Sequence, residues 1–184
     1  MTLKHATDFL HEGEIEAQRR FHGGPTWEAT QLGGMIRDTL SPAWTGFLES
    51  QPFFFMATAN QCGECDCSFR GREFDASGQP YPLLKVLDTQ TLAFPDYNGN
   101  KLYNSLGNIL VNPHVGLLFV DFQQRARARI NGSAHIVEDR AAYSNIWPLA
   151  LRYILVEIRQ AYPNCKARIP RMTMVPPSDA FFDE

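Results

Sequence analysis

The sequence predicts a mainly β fold, a barrel or sandwich with helical decoration. Short runs rich in β-branched and aromatic residues recur from Phe53 onward ("FFFMATA", "TLAF", "VGLLFVDF"), separated by Gly, Pro, Asn or Asp. Helical periodicity is confined to a few segments. A parallel α/β sheet would need helices between nearly all its strands, and the sequence does not supply them.

Taken in order, residues 1 to about 25 are polar and at most helical, ending in the breaker Gly23-Gly24-Pro25. Thr26 is placed to cap a helix whose apolar positions Leu32, Met35, Ile36 and Leu40 follow a helical period and stop before Pro42. A short helix around Trp44 to Leu48 leads to Pro52. "FFFMATA" then reads as a buried strand, followed by the turn Asn60-Gln61-Cys62-Gly63-Glu64 and an extended piece through Cys65, Cys67 and Phe69. Residues 75–80 form a loop, and "PLLKVLD" and "TLAF" read as strands. Leu102, Leu106, Ile109 and Leu110 lie on one helical face, which Asn112-Pro113 ends. "VGLLFVDF", "ARARI" and "SAHIVED" are strand-like. A helix is expected from Asp139 to about Trp147, and the β-branched content of "YILVEIRQAY" favours a strand.

Composition narrows the function classes. The chain has 184 residues, 44% hydrophobic and 20% charged, with net charge -3, which suits one globular domain. A nucleic-acid binder held by phosphate contacts would be basic overall or carry a basic stripe, so no nucleic-acid partner is expected. The first twenty residues lack the apolar stretch of a secretory leader, and no run reaches the ~20 apolar residues of a membrane span. A cytoplasmic protein without a membrane partner is the expectation, with its four cysteines as thiols. Residues 1–43 read as an N-terminal helical extension, 44–170 as the barrel and 171–184 as a tail.

Four groups of residues could carry chemistry. Cys62-x2-Cys65 has zinc-knuckle spacing and Cys67 could add a thiolate, but the remaining cysteine, Cys165, is distant and no histidine is close in sequence. The simpler reading is a hairpin whose small, partly buried cysteines act as modest hydrophobes. In "FPDYNGNKLYNSLGN" a strand end passes through Asn98-Gly99-Asn100 into a helix start, where free N–H groups and the dipole favour an anion. Lys101 falls in the first turn of that helix, where a cation is disfavoured unless an anion compensates it. Lys85, inside the apolar "LLKVL", either faces solvent or points at a bound anion, and Arg70 after "CSF" is similar. Arg125, Arg127 and Arg129 alternate with small or apolar residues and so share one strand face, solvated or in contact with a phosphate, acidic partner or second subunit.

The order of these motifs resembles the pyridoxamine 5'-phosphate oxidase-like flavoproteins, the FMN-binding split-barrel family. The likeness runs over residues 44 to 170 and rests on "FFFMATAN", "CSFRG", "LLKVLDTQTLAFPDYNGNKLYNSLGNILVNPHVGLLFVDF" and "RARINGSAHIVED" taken together. It implies a six-stranded split β-barrel forming a homodimer, with FMN at the subunit interface. Carried over by position, Ser68 and Arg70 match the S-x-R-G residues, and Lys85 matches the strand lysine, with Val86 beside it. Asn100 and Lys101 match the phosphate-binding start of the helix. Pro95 and Asp96 fall beside the ribityl chain or ring, and Arg127 falls where a polar residue reaches the flavin from the second subunit.

A dianionic phosphate suits several cations beside a helix start, which agrees with this implication. The C-terminus departs from the oxidase itself: "NCKARIPRMTMVPPSDAFFDE" lacks its W-R-L-type motif, and "REFDASGQPYP" is inserted after Arg70. The expectation is therefore an FMN-dependent oxidoreductase acting on another small molecule. A flavin- or haem-binding module without turnover, and a zinc-knuckle interaction protein, are the alternatives.

Overall fold

The computed structural model describes residues 5–24 and 27–175. Its centre is one antiparallel sheet of seven strands in the order β2-β1-β5-β6-β7-β4-β3. These are β1 (Phe54–Ala59), β2 (Cys65–Arg70), β3 (Lys85–Val86), β4 (Thr91–Asp96), β5 (His114–Asp121), β6 (Ala126–Val137) and β7 (Arg152–Pro163). The seventh strand beyond the expected six is the two-residue β3, which pairs with β4 through Lys85↔Ala93 and Val86↔Leu92. Pro82, which opens "PLLKVLD", has no N–H to donate, and the ladder takes up only Lys85 and Val86.

The sheet curls into a split barrel. Alternate residues of each strand turn inward: Phe54 and Met56 of β1, Leu117 and Phe119 of β5, Ile154 and Val156 of β7, and Leu92 and Phe94 of β4 are all buried together. The Phe54 and Phe94 rings lie 5.1 Å apart, although β1 and β4 are four places apart in the strand order. Among the described residues no backbone ladder joins β2 to β3, so the two ends of the sheet approach without pairing. Burial of the enclosed side chains contributes about 1.5–3 kcal/mol for each large apolar residue, and this holds the curl.

Local chemistry sets the turns. The Asn60 side chain accepts from the N–H of Cys62 at 2.9 Å and of Glu64 at 3.1 Å, and Gly63 takes φ 82° to close the β1–β2 hairpin. "ARARI" and "SAHIVED" are one strand, β6, bent by a register shift at Asn131/Gly132 against β7. A Cβ at Gly132 would lie 2.2 Å from the Glu157 carbonyl oxygen, so only glycine allows that approach.

The helices are peripheral: α1 (Glu12–His22), α2 (Ala29–Met35), α3 (Pro42–Ser50) and α4 (Asn104–Val111). Gly23 ends α1 with φ 83°, as the breaker predicts. Thr26, the expected cap of α2, lies outside the described residues. Glu28 takes the N-cap position, its N–H donating to Gln31 Oε1 at 2.9 Å, and α2 stops at Met35, so Leu40 is buried from a non-helical segment. Ser41 caps α3, with Pro42 in its first turn. The helix expected from Asp139 to Trp147 is instead a series of turns. Its large residues serve a satellite core: Trp147 and Tyr153 are fully buried, Trp147 Nε1 donates to the Pro82 carbonyl at 2.6 Å, and Tyr153 Oη donates to the Arg140 carbonyl at 2.7 Å. No helix of the described residues is long and apolar enough to cross a membrane.

Candidate functional site

The split in the barrel is where the predicted polar residues gather. Helix α4 lies against β1, β2 and β6, burying Leu106 and Ile109, while its Asn108 Nδ2 donates to Thr58 Oγ1 of β1 at 3.0 Å. The helix starts at Asn104, two residues later than its apolar spacing suggests, because Lys101 and Tyr103 take left-handed backbone angles (φ 64° and 55°). Lys101 therefore precedes the helix and does not sit in its first turn. Tyr103 offers no side-chain cap, so the first N–H groups of α4 lack an intrahelical partner.

In front of this helix start lies a cavity of about 400 Å³ bounded by β2, the end of β4, the 97–103 loop and the start of β7. Of the residues expected at the site, Ser68, Arg70, Asp96, Asn100 and Lys101 line it together. Strand alternation explains β2: Asp66, Ser68 and Arg70 turn toward the cavity, while Cys65, Cys67 and Phe69 face outward. Arg70 Nη1 donates to Asp96 Oδ1 at 3.2 Å and Nε to Ser68 Oγ at 3.2 Å. This guanidinium thus crosses the split, from the edge strand β2 to β4. Ser105 Oγ ties the start of α4 to β2, donating to Asp66 Oδ2 at 3.0 Å and lying 3.1 Å from Ser68 Oγ.

Four expected residues are placed elsewhere. Lys85 Nζ pairs with both oxygens of Glu49 from α3 at 3.2 Å, and the Val86 N–H donates to Glu49 Oε1 at 3.0 Å. Neither lines this cavity. Pro95 borders an adjoining cavity of about 250 Å³, which shares Arg70 and Tyr97 with the first and is walled by Arg72 and Glu73 of the insertion. Arg127 sits at the opposite end of β6, its Nη2 3.8 Å from Cys165 Sγ. The three-arginine face is not formed as expected: Arg125 lies in the turn before β6 at φ 56° and donates to the carbonyls of Ile169 (3.0 Å) and Lys166 (3.4 Å).

Sequence reasoning missed Asp66, Ser105 and Arg152. Asp66 and Ser105 fit the signal already used, since one alternates with Ser68 and the other follows the Gly-Asn turn into the helix. Arg152 opens β7, beyond the last of the motifs, and nothing local marks it. Its Nε lies 3.5 Å from Asp96 Oδ2, and its guanidinium sits 5.5 Å over the Tyr103 ring.

The cysteines are not buried hydrophobes. Cys62, Cys65, Cys67 and Cys165 are all free and exposed, and among the described residues no group of three His, Cys, Asp or Glu side chains is arranged to hold a metal. At Cys165 the Ala167 N–H, and after it the Arg127 guanidinium, hold the thiol below its ordinary range. In the wall shared by the two cavities, burial pushes the Tyr97 phenol up, and its hydroxyl has no hydrogen-bond partner among the described residues.

A barrel split along one seam, with cations and a helix start lining the seam, belongs to a recognisable class. Residues 40–175 match the family model for pyridoxamine 5'-phosphate oxidase, and the chain belongs to that family. Among solved structures, HupZ from Group A Streptococcus is 15% identical with a TM-score of 0.51, covering 67% of this chain and 93% of its own. A candidate pyridoxamine 5'-phosphate oxidase from Lactobacillus delbrueckii is 17% identical with a TM-score of 0.51, covering 68% of this chain and 95% of its own. At such identities the likeness is one of fold. No curated protein matches the chain.

Proposed function

We propose that this protein is a flavoprotein that binds FMN in the seam cavity and acts as an oxidoreductase on a small molecule, as a cytoplasmic homodimer. Membership of the pyridoxamine 5'-phosphate oxidase family supports a flavin-type cofactor. The observation that carries the reading is the convergence of Ser68, Arg70, Asn100 and Lys101 on one cavity at an uncapped helix start. The residues fit the group: a phosphate monoester needs many donors and compensating charge, and the cavity supplies guanidinium, ammonium, hydroxyl and main-chain N–H donors together.

In this reading Lys101 and Arg70 hold the phosphate, with Ser68 and Asn100 as neutral donors. Asp96 keeps Arg70 directed along the cavity wall. Pro95 and the adjoining cavity border the ribityl chain or ring. Lys85 and Val86 act at one remove, with Glu49 fixing that edge of the barrel. Arg127 is assigned to the flavin of the second protomer. Bound there, the flavin supplies electron and hydride transfer, and the protein orients it and admits the substrate.

The visible absorption spectrum of the purified protein tests this directly. Flavin bands, or their appearance on adding FMN together with a higher melting temperature, are expected. A colourless protein whose melting temperature FMN leaves unchanged sinks the reading.

A further inference from the structure

The cavity holds one guanidinium that no motif and no carried-over position marks. Arg152 lines the wall opposite β2 with a quarter of its side chain exposed. Its Nε edge faces Asp96 Oδ2 at 3.5 Å and the Tyr103 ring supports its face. Among the described residues its two Nη groups meet no acceptor. A guanidinium has five N–H donors, so most of this one's capacity is open to the cavity.

Asp96 accepts from Arg70 through Oδ1 and faces Arg152 through Oδ2, with its own side chain 10% exposed. One carboxylate thus fixes two guanidinium groups, one on β7, the ladder neighbour of β4, and one on β2 across the split. Their combined charge exceeds that of the carboxylate by one. Lys101 adds a second positive charge and Asp66, held by the Ser105 hydroxyl, removes one, so three cations face two carboxylates. Without Arg152 the cavity would be neutral and poorly matched to a dianion.

We propose that Arg152 is a further cofactor-binding residue, completing an Arg70–Asp96–Arg152 clamp that selects a phosphate monoester over an unphosphorylated ligand. This rests on the flavin reading above and adds to Lys101 and Arg70 a third cation for the phosphate, on a strand that the motifs leave unmarked. The clamp makes Arg152, beside Lys101 and Arg70, a source of discrimination between FMN and riboflavin, which share ring and ribityl chain and differ in the phosphate.

The test titrates FMN, riboflavin and inorganic phosphate against the wild type, Arg152→Gln and Arg152→Lys, reading flavin fluorescence and, for phosphate, the melting temperature. The wild type should prefer FMN. Arg152→Gln should weaken FMN roughly 10- to 100-fold, as for loss of one charge-assisted contact, with riboflavin affinity unchanged and Arg152→Lys recovering part of the loss. Unchanged riboflavin affinity also shows that the variant folds. Equal wild-type affinity for FMN and riboflavin, no effect of the Gln variant on FMN, or parallel loss of both ligands overturns the proposal. If the wild type binds neither flavin, the flavin reading fails, and Arg152 is judged by phosphate alone. A phosphate-dependent rise in melting temperature present in the wild type and absent in Arg152→Gln supports the clamp, while equal responses or none overturn it.

Discussion

Single side chains carry the two clearest consequences. Arg72 Nη2 donates to the carbonyls of Glu49 and Ser50 at 3.2 Å and of Gln51 at 2.5 Å, capping the C-terminus of α3. Replacing Arg72 with Ala leaves those carbonyls short of donors and should cost about 1–3 kcal/mol in urea unfolding. Lys101 has the opposite profile: Lys101→Ala should leave stability unchanged and weaken FMN by about 1–3 kcal/mol, measured by titration. Unchanged affinity would place the phosphate elsewhere. Ser68, Arg70 and Lys101 were legible because the ordered motifs point to them. Arg152 was not, since a lone arginine at a strand start becomes part of a site only when the sheet curls and brings β7 beside Asp96.

The elements show why some boundaries were readable and others not. Strand β1 and its hairpin follow from an apolar run and an Asn-x-x-Gly turn. Helix α4 begins late because two left-handed residues precede it, and apolar spacing carries no record of backbone angles. The turns at 139–147 have aromatic residues at helix-like spacing, but those residues plug a satellite core. At the β6 bulge, Gly132→Ala should destabilise the protein by about 3 kcal/mol, because the added Cβ meets backbone that cannot swing away. Two turns make the fold sensitive to acid. The Ser77 hydroxyl and the Gln79 N–H hold Asp75 below the usual carboxylate range, and the Gln90 N–H does the same for Asp88. A carboxyl depressed in the folded state stabilises above its unfolded pKa, and that contribution is lost as pH falls through the folded value. Stability should therefore decline through the acid side of the carboxylate range. Asp75→Asn and Asp88→Asn should flatten that decline in thermal melts run against pH.

For the whole molecule, the strand count and order of motifs made the mainly β barrel legible, and the N-terminal helices pack outside it. Gln160 of β7 donates to the Phe9 carbonyl at 2.8 Å, and Arg37 pairs with Ala161, so the extension covers the outer face of β7. Which residues meet across the split was not legible, because Arg70 and Asp96 are 26 positions apart and joined by no ladder. A ligand seated in that cavity touches β2, β4, α4 and β7 at once. At a hundred times its Kd, FMN should stabilise the native state by about 2.7 kcal/mol, read as a higher melting temperature. The missing ladder has a further consequence. The circumference of this barrel is set at one place by side-chain rotamers, so it can widen there without breaking a main-chain hydrogen bond. Amide exchange should report it: β2, hinged on β1 alone, should open far more often than the paired β6 and β7, and a seated phosphate should slow that breathing first.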